Sequence, residues 1–256
     1  MTTPKEIPLL LTPDNRAAVR AGIKTETRRT DKALDALAND DYFPALTPDN
    51  DWVFWSPGPV SEKDTAQAYP KGDNAGIKPR YGCPQKSPVR YWVKEPVRIR
   101  GLYEGVITSP MPWVELLYLD DGNDSVMQAT EINENDAVTL LNRKDYRRPT
   151  TSMHMLKAFT RTWLRGKSVH PEKLGDITAE GAIAEGIELC PTVAANTRCQ
   201  LIRTHYTNRR AWRDYLNGGY DLFPIQSYVS LWQSIHGPDP WNPQRWVWVV
   251  QFELEG

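Results

Sequence analysis

Proline constrains the fold of this chain more than any other residue type. The 256 residues include 21 prolines and ten tryptophans. Proline lacks a main-chain donor and breaks helix interiors, so helical bundles seldom contain this much of it. Tryptophan adds large apolar surface, and apolar residues make up 40% of the chain, enough for a sizeable core. The composition therefore predicts a strand-rich and loop-rich fold, either α/β (α+β) or a β-barrel.

Charge and cysteine content narrow the classes of function. Lysine plus arginine number 31 against 32 for aspartate plus glutamate, so a nucleic-acid partner would have to bind a local basic patch. No segment has the length of a membrane span, and the N-terminus lacks the apolar core of a signal peptide. Cys83, Cys190 and Cys199 form no zinc pattern. We expect a cytoplasmic protein with no membrane partner, metal or cofactor.

Hydrophobic periodicity and capping residues predict the main elements. Thr12 and Thr178 are expected to cap two helices that end at Gly22 and Gly186. A third helix is predicted over 223–235, and Trp246 and Trp248 are expected to pack the core from the last strand. Strands are predicted at 7–11, 52–55, 89–95, within 99–119, at 159–164 and at 246–254, with a hairpin turn at 120–123.

The segment from Gly22 to Arg29 has the strongest functional signal. It reads Gly-Ile-Lys-Thr-Glu-Thr-Arg-Arg and places hydroxyl and basic groups in a tight turn after a predicted helix. Lys24 offers a point charge, and Arg28 and Arg29 offer planar forks that suit phosphate. We expect a site for an anionic or polar ligand here, with Glu26 facing solvent or stabilising the turn.

Four blocks of sequence together resemble the ASCH domain, a branch of the PUA-like superfamily. They are the G-x-K-T-x-T-x-R block with its preceding strand and helix, residues 91–95, residues 177–187, and Leu231-Trp232 with residues 246–249. Ser152-Met153-His154-Met155 and Arg161 resemble the phage and prophage type of this family. The resemblance implies one domain over 1–256, a small β-barrel with flanking helices, and large loop insertions at 30–80, 100–145 and 190–220.

The resemblance also implies RNA or modified nucleosides as ligands, and hydrolysis in some members. A small bacterial branch deacetylates N4-acetylcytidine with a Lys, a Thr three residues later and a Glu on a helix. Those positions align with Lys24, Thr27 and Glu185. In an amidohydrolase or ribonuclease, Thr27 would be the nucleophile, Lys24 its base, and Glu185 a proton shuttle. Alternatively, the same groups bind a base edge or a phosphate without turnover, and Glu185 pairs with Lys24.

Further ligand contacts are expected on the turn and on one strand. In the family, Trp92 and Lys94 lie on a strand that faces the cleft, where Trp92 would stack on a base or pack in the core. His154 would act as a second acid or base, or line the pocket. The expected binding residues are thus Thr25, Arg28, Arg29, Trp92, Lys94 and His154.

Two larger segments leave other functions open. The stretch 203–213 is basic with interleaved Tyr206 and Trp212, which indicates either a nucleic-acid surface or a solvated helix face. A third class of function is a phage protein that inhibits a host factor through its insertions.

Overall fold

The protein mixes β-sheets with helices, which confirms the predicted α+β class. The computed structural model describes residues 3–35, 43–47, 50–55, 79–104, 111–120, 127–143, 145, 147–190, 210–237 and 241–255. The chain divides into two compact units. Unit 1 contains Met1–Lys5, Ala21–Val89 and Gly166–Glu253, and unit 2 contains Glu6–Arg20, Arg90–Arg165 and Leu254–Gly256.

The helices and strands alternate irregularly along the chain. The described helices are α1 (Pro13–Arg20), α2 (Lys32–Asp35), α3 (Glu134–Leu141), α4 (Ala179–Ala184) and α5 (Pro224–His236). The described strands are β1 (Lys5–Leu10), β2 (Glu26–Arg29), β3 (Phe43–Leu46), β4 (Trp52–Trp55), β5 (Val89–Lys94), β6 (Val97–Tyr103), β7 (Trp113–Tyr118), β8 (Met127–Glu131), β9 (Trp163–Lys173), β10 (Leu189–Cys190), β11 (Ala211–Arg213), β12 (Tyr220–Asp221) and β13 (Trp246–Leu254).

Unit 1 is built around the later part of β9 with β13 and β2 beside it. Strand β2 runs antiparallel to β13, with Glu26 opposite Gln251 and Thr27 opposite Val250. A β3–β4 hairpin and the small β10–β11–β12 sheet complete the strands of this unit. This pairing fixes which side chains of β2 share a face, because successive residues of a strand point to opposite sides.

Aromatic side chains dominate the core of unit 1. Phe54 packs edge-on against Trp246 and Trp248, with ring centroids 5.6 and 6.3 Å apart. Both tryptophans are buried, as predicted. A second cluster joins α4, α5 and β13 through Leu174, Ile177, Ala182, Ile187, Trp212, Tyr228, Leu231, Trp232 and Val247.

Unit 2 contains β1 and β5 as neighbours, with β5 antiparallel to the first residues of β9. Strands β6, β7 and β8 form an antiparallel sheet, and α3 follows it in sequence. The core of this unit consists of Val97, Ile99, Val114, Leu116, Tyr118, Ile132, Ala137, Leu140, Met155 and Phe159.

The predicted boundaries of two helices, α1 and α4, are confirmed. The Thr12 hydroxyl accepts a bond from the Asn15 amide at 3.4 Å, and the Thr178 hydroxyl accepts one from the Gly181 amide at 3.0 Å. Gly22 and Gly186 follow α1 and α4 with φ of 69° and 84°. A left-handed residue after a helix favours glycine because a Cβ would clash there.

Three local predictions were wrong. Glu26–Arg29 is strand β2 rather than part of a tight turn, since its main chain pairs with β13. The strand predicted at 159–164 starts only at Trp163, because Phe159 ends a 3₁₀ turn and its carbonyl accepts from Tyr118 at 2.7 Å. Strand β3, within 30–80, was not predicted, because it contains Pro44 and proline is uncommon inside strands. It pairs with β4, which was predicted.

Several predictions fall partly on residues that the structure does not describe. Residues 121–123 of the predicted hairpin turn and 203–209 of the basic stretch lie outside the described residues. Trp212 lies on β11 and is buried in the core, so it is not an exposed aromatic on a basic helix face. Among the described helices, none is long and apolar enough to cross a bilayer.

Candidate functional site

Lys24 and Glu185 form a buried ion pair in unit 1. Lys24 lies two residues before the start of β2, and Glu185 caps the C-terminus of α4. The Lys24 Nζ atom lies 2.5 Å from Glu185 Oε2 and 2.6 Å from the Glu185 carbonyl oxygen. The exposed fraction is 2% for Lys24 and 4% for Glu185. A bond of 2.9 Å from the Thr25 amide to the Ala184 carbonyl holds the two segments together.

Burial lowers the pKa of Lys24 below its usual value. The nearby Glu185 carboxylate opposes this shift, and the charges of Arg29 and Arg28 add to it. A lysine with a depressed pKa is the type that serves as a general base. Here, however, the ammonium group donates to Glu185, so the pair also has a structural role.

Arg28 is surrounded by three carboxylates. Its Nη1 atom lies 2.7 Å from Glu26 Oε1 and 3.4 Å from Glu185 Oε1, and its Nε atom lies 3.0 Å from Glu172 Oε1. Its main-chain amide also donates to Glu185 Oε1 at 2.5 Å. Burial disfavours the charge, but the neighbouring Glu185, Tyr228, Glu172 and Glu26 together raise the pKa of Arg28.

Glu26 is buried, so of the two roles expected from the sequence, facing solvent or stabilising the turn, the first was wrong. Its carboxylate accepts from Arg28 at one oxygen and from Gln251 Nε2, 3.2 Å away, at the other. Gln251 is oriented in turn by Ser168, whose hydroxyl lies 2.6 Å from Gln251 Oε1. A buried carboxylate is tolerated when donors satisfy both of its oxygens, which explains its position.

A pocket of about 400 Å³ opens beside this network. Side chains or main chain of β2, β9, α4 and β13 line it, and most of these groups are polar. The lining residues are Thr25, Glu26, Arg28, His170, Glu172, Thr178, Glu180, Gly181, Ala184, Val249 and Gln251. Hydrogen-bond donors and acceptors thus converge on one cavity within a single unit.

His170 gives the pocket an imidazole side chain. Burial lowers the pKa of His170, while Glu172 and Glu26 oppose the shift and Arg28 adds to it. The neutral imidazole offers one donor and one acceptor, which suits recognition of a polar ligand.

Thr27 and Arg29 alternate with Glu26 and Arg28 along β2, so they point to the opposite face of the strand. Thr27 is buried, and no hydrogen bond joins its hydroxyl to Lys24 or to another residue in the described ranges. Burial lowers the pKa of Arg29, with Tyr81, Glu185 and Tyr228 opposing the shift. The structure therefore brings Lys24, Glu185 and Arg28 together, while the Thr27 hydroxyl points elsewhere.

The remaining predicted binding residues are divided between the two units. Thr25 lines the pocket of unit 1. Trp92, Lys94 and His154 belong to unit 2, where His154 is exposed and ends a 3₁₀ turn over Ser152–His154.

Several pocket residues were not predicted as ligand contacts from the sequence, among them Glu26, His170, Glu172 and Gln251. His170 and Glu172 match no metal or nucleophile pattern in the sequence. Their spacing of two residues within a strand was the available signal, since it places both side chains on one face. The strand itself was predicted to end too early, which hid that relation.

No group of three or more His, Cys, Asp and Glu side chains is placed to hold a metal ion within the ranges that the structure describes. The site is thus a cavity bordered by an ion-pair network of lysine, arginine and glutamate. No family model, curated protein or solved structure matches this chain.

Proposed function

We propose that unit 1 binds a nucleobase or nucleoside, free or within RNA, in the pocket beside Lys24 and Arg28. The observation that carries this proposal is the convergence of Arg28, Glu172, His170 and Gln251 on one cavity of about 400 Å³. Such side chains read base edges, because arginine donates to base carbonyls, carboxylates accept from exocyclic amines, and glutamine does both.

The charges of the pocket favour a base edge over a phosphate. Glu26, Glu172 and Glu180 line the cavity, and the guanidinium of Arg28 already pairs with carboxylates. A phosphate would meet this excess of negative charge without a matching cation. A neutral base with N–H donors would instead find acceptors, so cytosine-like and adenine-like edges suit the site better than uracil.

Calorimetric titration of the full chain with nucleosides tests this proposal. We expect cytidine to bind more tightly than uridine or inorganic phosphate, and Glu172→Gln to weaken cytidine binding about tenfold, in the range of one base contact. Glu115→Gln, a carboxylate of unit 2 that accepts from Tyr103, is the matched control and should leave the affinity unchanged. Equal affinity for cytidine and phosphate, or no binding of any nucleoside, would contradict the proposal.

A second candidate is hydrolysis of an N-acyl nucleoside, favoured by the depressed pKa of Lys24 beside Glu185. Lys24 would first pass a proton to Glu185. The Thr27 oxygen would then attack the acyl carbon while the neutral Lys24 amine takes the hydroxyl proton, and the nucleoside amine would leave with the proton held by Glu185. Water would then release the acyl group from Thr27. This sequence requires Lys24 to exchange its bond to Glu185 for one to Thr27.

Mass spectrometry separates turnover from binding. The protein would be incubated with N4-acetylcytidine, other acylated nucleosides and a mixed RNA pool, beside Lys24→Ala and Thr27→Ala. If the wild type forms product and Thr27→Ala does not, the protein is a hydrolase. If the wild type binds nucleosides but forms no product, it is a reader of modified nucleosides.

We also propose an ASCH-type, PUA-like barrel as the parent fold. The G-x-K-T-x-T-x-R block at 22–29 and the capped helix after Thr178 support it. A PUA-like fold hosts both binding proteins and enzymes, so the pocket experiments decide the function. An experimental structure of the full chain would test whether the strands close into a barrel.

A further inference from the structure

The pocket of unit 1 carries more negative than positive charge. Its charged lining residues are three carboxylates and one guanidinium, namely Glu26, Glu172, Glu180 and Arg28. The imidazole of His170 adds no charge at neutral pH, because burial lowers its pKa. The carboxylates of the lining therefore exceed its cations by two charges.

Two lysines near the pocket do not balance this excess. Lys24 Nζ lies 2.5 Å from Glu185 Oε2, so that pair is neutral by itself. Lys173 follows Glu172 along β9, and its side chain points to the opposite face of the strand. Its Nζ atom lies 2.9 Å from Gln244 Oε1. Neither lysine lines the cavity.

Two of the carboxylates have oxygens available to a ligand. Glu172 accepts from Arg28 Nε at Oε1, 3.0 Å away, whereas its Oε2 accepts no hydrogen bond from the described residues. The Glu172 side chain is 22% exposed, so a ligand in the cavity can reach it. Glu180 is exposed in the first turn of α4, and it forms no ion pair with that same part of the chain.

The arrangement of the acidic groups suits a charge that is spread over a ring. A metal ion needs several oxygens that converge on one point, and no three His, Cys, Asp or Glu side chains in the described ranges are placed in that way. The cavity of about 400 Å³ has the size of a site for a small organic ligand. A planar cation would contact the separated carboxylates at different edges.

We infer that the ligand of this pocket is a planar organic cation, such as a purine or pyrimidine ring that carries a positive charge. The inference rests on the proposed function, since it names the charge of the ligand in the same site. Exocyclic N–H groups share the charge of such a ring, and they would donate to Glu172 Oε2 and to Glu180 in charge-assisted hydrogen bonds. The neutral N4-acetylcytidine would leave the excess negative charge unbalanced.

Pairs of isomeric nucleosides test the inference by calorimetric titration of the full chain at neutral pH. 1-Methyladenosine and 3-methylcytidine are cations under these conditions, whereas N6-methyladenosine and N4-methylcytidine contain the same heavy atoms and are neutral. We expect each cation to bind about tenfold more tightly than its neutral isomer, the size of one charge-assisted hydrogen bond. Glu172→Gln and Glu180→Gln should each reduce this ratio.

Glu115→Gln, in unit 2, is the matched control and should leave the ratio unchanged. If Glu172→Gln fails to fold by circular dichroism, Glu180→Gln still decides, because the Glu180 side chain is exposed. Equal affinity for the two members of each pair would overturn the inference and leave the proposed function intact. A ratio that neither variant changes would also overturn it. Failure of all four nucleosides to bind would overturn both the inference and the proposed function.

Discussion

Lys24 and Glu185 depend on each other because both are removed from water. Neither charge has solvent to stabilise it, and the 2.5 Å contact supplies the compensation. In such pairs, loss of one partner costs more than loss of both, since the remaining charge stays buried.

We predict that Glu185→Gln lowers the free energy of unfolding by about 3–5 kcal/mol, because it leaves the Lys24 ammonium without a counter-charge. Lys24→Met/Glu185→Gln should be less destabilised than Glu185→Gln alone, since methionine fills similar volume without charge. Urea denaturation followed by circular dichroism measures both differences.

An exposed pair in the same unit provides the control. Lys86 and Asp51 lie 2.8 Å apart, with side chains 48% and 36% exposed. Asp51→Asn should cost about 0–1 kcal/mol. A Glu185→Gln effect no larger than this would show that burial does not couple Lys24 to Glu185.

His170 should make stability depend on pH below neutrality. Burial sets its folded pKa below the usual 6.5, so the unfolded chain takes up the proton first as pH falls. The unfolded state binds more protons in this window, and stability therefore decreases as pH drops from about 6.5 towards the folded pKa. Glu172, Glu26 and Arg28 are the charged groups that influence the imidazole.

The variant His170→Asn should flatten this part of the stability curve. Denaturant unfolding at several pH values below 6.5, compared with the wild type, measures the change in slope. An unchanged slope would mean that other groups cause the acid destabilisation.

At the scale of elements, α4 approaches β2 closely enough that one methyl group matters. A Cβ added at Gly181 would lie 2.8 Å from Arg28 Nη2 and 3.2 Å from Glu26 Oε1. The helix would gain about 1 kcal/mol of propensity from alanine, but the guanidinium would have to move.

We predict that Gly181→Ala keeps an unfolding free energy within about 1 kcal/mol of the wild type but binds cytidine about tenfold more weakly, because Arg28 is displaced from the pocket. Calorimetry measures the affinity, and thermal denaturation measures the stability. Gly219→Ala, where an added Cβ would meet no atom within 4 Å, is the control for a glycine change elsewhere. Unchanged cytidine affinity in Gly181→Ala would place Arg28 outside the ligand contacts.

Helix and strand boundaries were predicted correctly where they depend on contacts between residues close together in the sequence. Thr178 begins helix α4 through a hydrogen bond to a nearby amide, and Gly186 ends it through its left-handed backbone. Each signal involves only four or five neighbouring residues. Strand β2 was missed because its polar sequence is buried only through partners distant in the chain. Glu26 and Arg28 satisfy each other together with Gln251 and Glu172, and no local pattern indicates such a network.

At the scale of the whole molecule, neither unit is a continuous piece of chain. Strands β9 and β13 each contribute residues to both units, and the chain passes from one unit to the other several times. The α+β class could be predicted from composition. The pocket could not, because it is lined by residues near 25, 170, 180 and 250, which the strand pairing brings together.

This connectivity predicts cooperative unfolding. Because shared strands cannot lose their pairing in one unit without affecting the other, we expect a single transition with coincident curves from far-ultraviolet circular dichroism and tryptophan fluorescence. Two separated transitions would show that the units unfold independently.

The bond from Lys24 to the Glu185 carbonyl has a practical consequence for chemical footprinting. Amine-reactive labels modify a lysine only when its nitrogen is unprotonated and reachable, and here the amine is enclosed and serves as the donor at the end of α4. Lys24 should thus acquire a label only when α4 and β2 separate. Its labelling rate, read by mass spectrometry of the intact fold, would report how often this part of the protein opens.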